Sequence, residues 1–265
     1  LSILMLFLSG GKYREDIRKL KLDKALKKVG KISRIPSSDA IGDWMRTKSS
    51  EKIMAIETVH KKLTKRFLNQ CKQREHTLDI DAFSIFSNKD SAHYTYKGEK
   101  GYMPIVGHLA ELDWCIGYEF REGQVPPAER NYEFIRHCFN QLPKGHKITA
   151  FRSDAAAYQA RIFNELDKKK IKFTITAAKK GQIMPNIEQI PEKEWLPLKD
   201  KDGYSTGRMV AESYSFMDDT PEHFRIVVQR WANPKRDLFN NEPEFCHHVI
   251  ATNYSQDEKS AVEVI

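Results

Sequence analysis

The sequence predicts an α/β protein: a mixed sheet flanked by helices, carrying a β-rich insertion and preceded by a helical N-terminal region. Three observations predict it. Up to about residue 75 the apolar residues recur at helical spacing among many lysines and arginines, and from residue 77 they alternate at the strand period of two. Three strand-like segments then give way to alternating helix and strand as far as residue 177. Between 181 and 243 the text changes again, to hairpin-like strands, before an apolar segment at 245–252 reads as a return to the main sheet. The expected organisation is therefore a basic helical region (1–75), a first part of an α/β core (76–180), a β-rich insertion (181–243) and a second part of the core (244–265).

Each element has a local reason. Leu1 to Leu8 is a short apolar helix stopped by Gly10-Gly11. Tyr13 to Lys28 follows as a helix, with Ile17, Leu20, Leu22, Ala25 and Leu26 among lysines. Pro36-Ser37-Ser38-Asp39 is a helix start, with Ser37 or Ser38 as N-cap ahead of Ile41, Trp44 and Met45. Residues 51–70 continue as an amphipathic helix through Ile53, Ile56, Val59, Leu63 and Phe67. Short basic helices of this kind suit a DNA-binding helix-turn-helix, and equally a helical cap with a solvated basic face.

Residues 77–86, 102–111 and 114–121 read as three antiparallel strands, the last two joined by a turn at Asp113. Pro126-Pro127 opens a helix over 128–141, which Pro143-Lys144-Gly145 stops. A strand at Lys147–Arg152, a helix at Ala155–Lys168 and a strand at Ile171–Ala177 complete the series. This order is that of an RNase H-like sheet. In the insertion, 181–190 is helical, 207–216 and 224–231 are strands, Asp202-Gly203 marks a hairpin and 233–243 is a loop. Gln256 onward, with Ala261, Val262 and Ile265, starts a further helix.

The 265 residues carry a net charge of +8 and a pI near 9.1, which favours an acidic partner without identifying one. Cys71, Cys115, Cys138 and Cys246 stand singly, which argues against a disulfide framework and a zinc site and fits a reducing cytosol. The apolar start is far short of the roughly 20 residues that span a bilayer. It lacks a start methionine and a basic flank, and reads as the core helix of a domain whose earlier part is absent.

Two acids stand at the ends of apolar strand-like runs: Asp81 in Leu78-Asp79-Ile80-Asp81-Ala82, and Asp154 in Phe151-Arg152-Ser153-Asp154-Ala155. Carboxylates presented by separate strands of one sheet are what two-metal phosphoryl transfer requires. Asp79 shares the face of Asp81, since side chains two apart point the same way. Each acid also has an ordinary explanation: a solvated sheet face for Asp79 and Asp81, an N-cap for Asp154. Arg121, Arg152, Lys97 and Lys100 are candidates to hold a DNA phosphate beside such acids, or plain surface charges. His247-His248 lies on a core strand where alternation turns one imidazole inward, and no spaced partner makes a zinc site.

Taken in order, Leu78-Asp79-Ile80-Asp81-Ala82, His93-Tyr94-Thr95-Tyr96-Lys97-Gly98, Gly101-Tyr102-Met103-Pro104, Phe120-Arg121-Glu122-Gly123 and Phe151-Arg152-Ser153-Asp154 resemble the core of a DDE transposase of a bacterial insertion sequence. The branch is the one whose cores read L-D-x-D-A-T, Y-x-Y-K-G, F-R-x-G-N and R-x-D-S. Looser matches follow at Arg225–Arg230 and Val249–Asn253, so the likeness runs through nearly the whole chain. Phe83, Gln124 and Ala155 depart from the pattern's Thr, Asn and Ser.

The resemblance implies an RNase H-like catalytic domain interrupted after the second acid, with Asp81 and Asp154 as catalytic and metal-binding residues. It implies Mg2+, with Mn2+ as substitute, and double-stranded DNA as partner, both element ends and target. It also implies a homodimer on DNA, no membrane, and a bacterial cytoplasmic, nucleoid-associated location. The family's third acid belongs to a Y-x2-R-x3-E-x6-K pattern that residues 245–265 lack; Glu258 and Glu263 precede its place. The expectation is a transposase fragment with two of three acids and little activity alone. Two readings compete with it: a catalytically inactive DNA-binding regulator of the same fold, and a nuclease using Glu258 or Glu263.

Overall fold

The computed structural model describes residues 1–47, 50–236 and 243–265, and the chain divides into two compact units, 1–63 and 64–265. In the first, α1 (Ser2–Leu8) stops where Gly10 turns to φ +78°, a conformation that costs glycine little. The helix read across 13–28 is in fact a 3-10 turn (Arg14–Asp16), α2 (Ile17–Leu22) and α3 (Lys24–Val29). Asp23 makes the break: its carboxylate accepts the Leu26 N–H at 2.8 Å and so competes with the helical ladder as an N-cap. Ser37 caps α4 (Ser38–Arg46) in the same way, through the Ala40 N–H. Met5, Leu6, Ile17, Leu20, Ile35 and Ile41 form this unit's core. The unit boundary falls within α5 (Ser50–Gln70), ahead of the expected 75, because Thr64 and Phe67 pack on Trp114 of the second unit's sheet.

The second unit runs β1 (Glu75–Ala82), β2 (Ile85–Phe86), β3 (His93–Tyr94), β4 (Lys100–Tyr102), β5 (Ile105–Leu109), β6 (Trp114–Glu119), α6 (Asn131–Gln141), β7 (Lys147–Ser153), α7 (Ala160–Lys168) and β8 (Lys172–Thr176). It continues with α8 (Ile183–Glu188), β9 (Leu196–Lys199), β10 (Ser205–Ser215), β11 (Phe224–Ala232), β12 (Phe245–Thr252) and α9 (Ala261–Val264). Among the described residues, nine strands form one sheet in the order β6-β5-β1-β7-β8-β12-β11-β10-β9, and β2-β4-β3 form a small second sheet. The β6-β5-β1 meander is antiparallel, whereas β7 lies parallel to β1 and β8 parallel to β7. This is the RNase H-like arrangement. The strands of 181–243 make no separate layer: β12 pairs antiparallel with β8, and β11, β10 and β9 extend the same sheet.

Three further elements, in the second unit, differ from their sequence reading. The strand read over 102–111 splits at Met103-Pro104, where proline has no N–H to give the ladder. The run 77–86 divides likewise at Ala82, so Ile85-Phe86 joins the small sheet. The helix read over 155–168 begins as a 3-10 turn under Asp154, and Gln159 is extended before α7 starts. Of the loop read at 233–243, residues 237–242 lie outside the described residues.

Strand alternation sends Leu78, Ile80, Phe151, Phe173 and Ile175 to a buried face under Phe134, Ile135 and Cys138 of α6 and Ile162, Phe163 and Leu166 of α7. The α6 contact is close. A Cβ on Gly107 or Gly117 would stand 2.8 or 2.6 Å from the Cys138 sulfur, so these strand positions need glycine. Asp79, Asp81 and Arg152 point to the other face.

Where β1 begins, His76 is fully buried, with Nε2 2.9 Å from Nδ1 of the nearly buried His146 and the two rings stacked at 5.2 Å. Burial pushes both imidazoles below the ordinary histidine value. Each also feels the positive charge of Arg74, which hydrogen bonds His146, while Glu111 lies 4.0 Å from His76. As the pH falls through about 6.5, the unfolded chain takes up protons that the folded pair refuses, so folding weakens on the acid side. Urea midpoints measured from pH 8 down to 5 are expected to fall below about 6.5, and to fall less in His76→Phe. A flat profile in the native chain would remove this role for the pair.

Candidate functional site

The parallel pairing of β1 and β7 builds the site. Its register sets Leu78 against Phe151, Asp79 against Arg152 and Ile80 against Ser153. One step on, in extended backbone, Asp154 follows β7 beside Asp81 on β1, where neighbouring strands lie about 4.8 Å apart. Two exposed acids thus follow the last couple at the carboxyl ends of adjacent parallel strands. The Asp154 Oδ1 accepts the Ala156 N–H at 3.0 Å, so it is also the N-cap that its sequence allowed. The Asp81 carboxylate has no hydrogen-bond or ion-pair partner among the described residues.

Asp79 is held differently. Arg152 Nε and Nη2 meet its two oxygens at 2.7 and 2.5 Å, a fork-on-carboxylate pair across the strands. That bond pushes the guanidinium further up from its already high value. Asp79 and Arg152 therefore occupy each other, two residues before Asp81 and Asp154 on their strands. No sequence pattern marked them as partners; the signal was the equal spacing of Asp79-Asp81 and Arg152-Asp154, which a parallel register converts into facing pairs.

The remaining basic residues separate. Arg121 is 2% exposed, with Nε 3.2 Å from Glu119, Nη1 3.1 Å from the Asn131 side chain and its guanidinium 5.9 Å from the Phe134 ring. It ties β6 to α6, with its guanidinium out of solvent in this structure. Lys97 and Lys100 both lie in the β3–β4 hairpin, over the rings of Tyr96 and Tyr94 at 5.6 and 5.8 Å. His247 and His248 are both half-buried, neither inward nor outward as alternation would have it, and burial pushes both below the ordinary value.

A cleft of about 460 Å³ opens on the face of Asp79, with Arg152, Thr174 and Thr176 as floor and Lys259 and Glu263 from the α9 side as wall. Glu263 is engaged in its own helix cap, accepting from Ser260 N at 2.8 Å and Ser260 Oγ at 2.7 Å. Glu258 lies against Lys172 at 2.6 Å, which with Ser255 holds its carboxyl down at about 2. Neither glutamate joins the aspartates: among the described residues no group of three or more His, Cys, Asp or Glu could hold a metal ion. Two neighbouring carboxylates do suit a magnesium-type ion, which commonly takes one or two carboxylates and fills its shell with water and substrate phosphate.

A family model described as "Transposase DDE domain group 1" matches residues 2–261. No curated protein matches the chain. Among solved structures, the piggyBac transposase synaptic complex with hairpin DNA is similar at 12% identity and a TM-score of 0.42, over 91% of this chain and 47% of that one. The Mos1 strand transfer complex is similar at 12% identity and a TM-score of 0.28, over 66% of this chain and 56% of that one. The chain thus spans about half the length of these proteins. No helix among the described residues is long and apolar enough to cross a membrane.

The buried setting of Arg121 carries a prediction of its own. Arg121→Ala takes the donor from the buried Asn131 side-chain oxygen, while Glu119 keeps Arg130, and is expected to cost about 2 kcal/mol in urea unfolding, since a buried hydrogen-bond partner is lost. Lys97→Ala, at an exposed lysine, is expected to leave the midpoint unchanged; equal effects would show that Arg121 anchors nothing.

Proposed function

The chain belongs to the transposase DDE domain group 1 family, and on that premise we propose that it is the catalytic region of a DNA transposase, cutting and joining strands by metal-assisted phosphoryl transfer. The observation that supports the proposal is the parallel register of β1 and β7, whose couple Ile80 with Ser153 immediately precedes Asp81 on one strand and Asp154 after the other. In this reading Asp81 and Asp154 hold a divalent cation, Mg2+ or Mn2+, as the first two acids of the site. When bound, such an ion polarises the phosphodiester and makes a hydroxyl nucleophile available near neutral pH. Asp81, free of other partners, gives its carboxylate to that task. Asp154 does so while its Oδ1 keeps the Ala156 N–H, which fixes the direction of the carboxylate. Asp79 is a neighbour whose charge Arg152 neutralises, so the face below the acids repels an incoming phosphate less than three bare carboxylates would.

Origin in a bacterial insertion sequence, action on element ends and target DNA, and pairing of two copies on DNA belong to the same proposal. They rest on the motif likeness and on the +8 charge. One observation favours a second reading: no third acid joins the pair among the described residues. In that reading the chain binds DNA with a steep salt dependence and performs no chemistry.

Two measurements decide. Mn2+ binding, read by electron paramagnetic resonance, is expected to weaken at least about tenfold in Asp81→Asn and in Asp154→Asn, the loss of one of few charged ligands. Asp79→Asn is expected to change it little. Metal-dependent nicking of duplex DNA should vanish in the same two variants while duplex affinity persists. Unchanged Mn2+ binding, or nicking that survives either variant, would overturn the site; duplex binding with no nicking in any metal would favour the second reading.

A further inference from the structure

The small sheet β2-β4-β3 carries rings that the proposed chemistry does not use. Antiparallel pairing sets Tyr94 opposite Lys100 and Ile85 opposite Tyr102, and alternation along β4 puts Lys100 and Tyr102 on one face. That face thus reads Tyr94, Lys100, Tyr102 and Ile85 across three strands. Phe120 extends it, its ring 4.8 Å from that of Tyr102. Tyr94 is 64% exposed and Phe120 62%, with Tyr102 half-buried, unusual exposure for large rings on one face. The platform is tightly built, because Gly123 packs on the carbonyls of Gly101 and His93, where an added Cβ would come within 2.4 Å of both.

Position gives these rings a meaning. Three residues lie between Asp81 and Ile85, four steps of at most about 14 Å of extended chain, so the Ile85 edge of the platform stands close to Asp81. Lys97 and Lys100 lie over the rings of Tyr96 and Tyr94, so the same surface offers ring faces and cations together. Lys89, Lys97 and Lys100 stand against Asp90 and Glu99 in this segment, an excess of only one positive charge. Attraction here therefore depends on stacking more than on net charge. A base inside a duplex has both faces occupied by its neighbours, and only an unpaired nucleotide has a face to offer.

We propose that Tyr94, Tyr102 and Phe120, with Lys97 and Lys100, form a stacking platform for unpaired nucleotides of a DNA strand beside the cleavage site. The inference rests on the DNA-transposase reading above. Its test is binding of the full chain, in EDTA, to a blunt duplex and to the same duplex with a short unpaired thymidine tail, followed by fluorescence anisotropy. The tail is expected to tighten binding by roughly tenfold, the size of one base–ring stack. Tyr94→Ala and Phe120→Ala should each remove most of that gain and leave blunt-duplex affinity alone, while Tyr94→Phe should keep it. Both side chains are exposed, so the variants are expected to fold. Equal binding of the two duplexes, or a gain that survives both alanine variants, would overturn the platform while leaving the transposase reading intact. Loss of self-association in Tyr94→Ala with the tail preference unchanged would assign the face to a second copy of the chain and overturn it too. Binding of neither duplex would remove both readings together.

Discussion

Everything proposed for this protein depends on one backbone constraint, the parallel pairing of β1 with β7. Parallel neighbours rise in step, so residues far apart in sequence meet in fixed couples. Here the couples are Asp79 with Arg152 and Ile80 with Ser153, and the next residue on each side is an aspartate, Asp81 and Asp154. A register one residue different would set Asp81 against Ser153 and turn Arg152 away from Asp79, since each step reverses the face. The register itself is held from the other side of the sheet, where Leu78 and Phe151 are both fully buried beneath α6 and α7. Core packing on one face thus sets the chemistry on the other.

The two carboxylate positions on β1 show how one strand can supply two kinds of acid. Asp79 is matched with a fixed cation and becomes part of the framework. Asp81, two residues on and unmatched, stays available. Sequence treated them as near-equivalent, because both lie on the same face at the same spacing. What separates them is the partner across β7, arginine in one case and aspartate in the other.

Much of the fold was legible because it follows from local rules. The change of period near residue 76, the turn at Asp113 with its positive φ, the Ser37 cap and the Asp202-Gly203 hairpin all have side-chain causes within a few residues. The split of 13–28 at Asp23 and of 102–111 at Pro104 used the same chemistry, at residues whose breaking power the surrounding apolar pattern hid. The burial of Arg121 was hidden for a different reason: in sequence it stands beside exposed Phe120, and its Asn131 and Phe134 neighbours come from α6. The pairing of Asp79 with Arg152 and the gathering of Tyr94, Tyr102 and Phe120 were likewise beyond local rules, because each joins separate strands.

The joint between β8 and β12 has a consequence for motion. It is short: Thr174, Ile175 and Thr176 meet Thr252, Ala251 and Ile250, whereas β11 and β12 are paired along eight couples from Arg225↔Thr252 to Ala232↔Phe245. Side chains make up for the short ladder: Phe224, Ile226, Val228, Val249 and Ala251 share one apolar cluster with Phe163, Phe173 and Ile175, and the Phe163 and Phe224 rings meet edge to face across the joint. The Thr252 hydroxyl adds a bond to the Phe173 carbonyl at 2.6 Å. Any motion of β9 and β10 is therefore passed toward the strands that carry the aspartates through the core rather than through the backbone ladder.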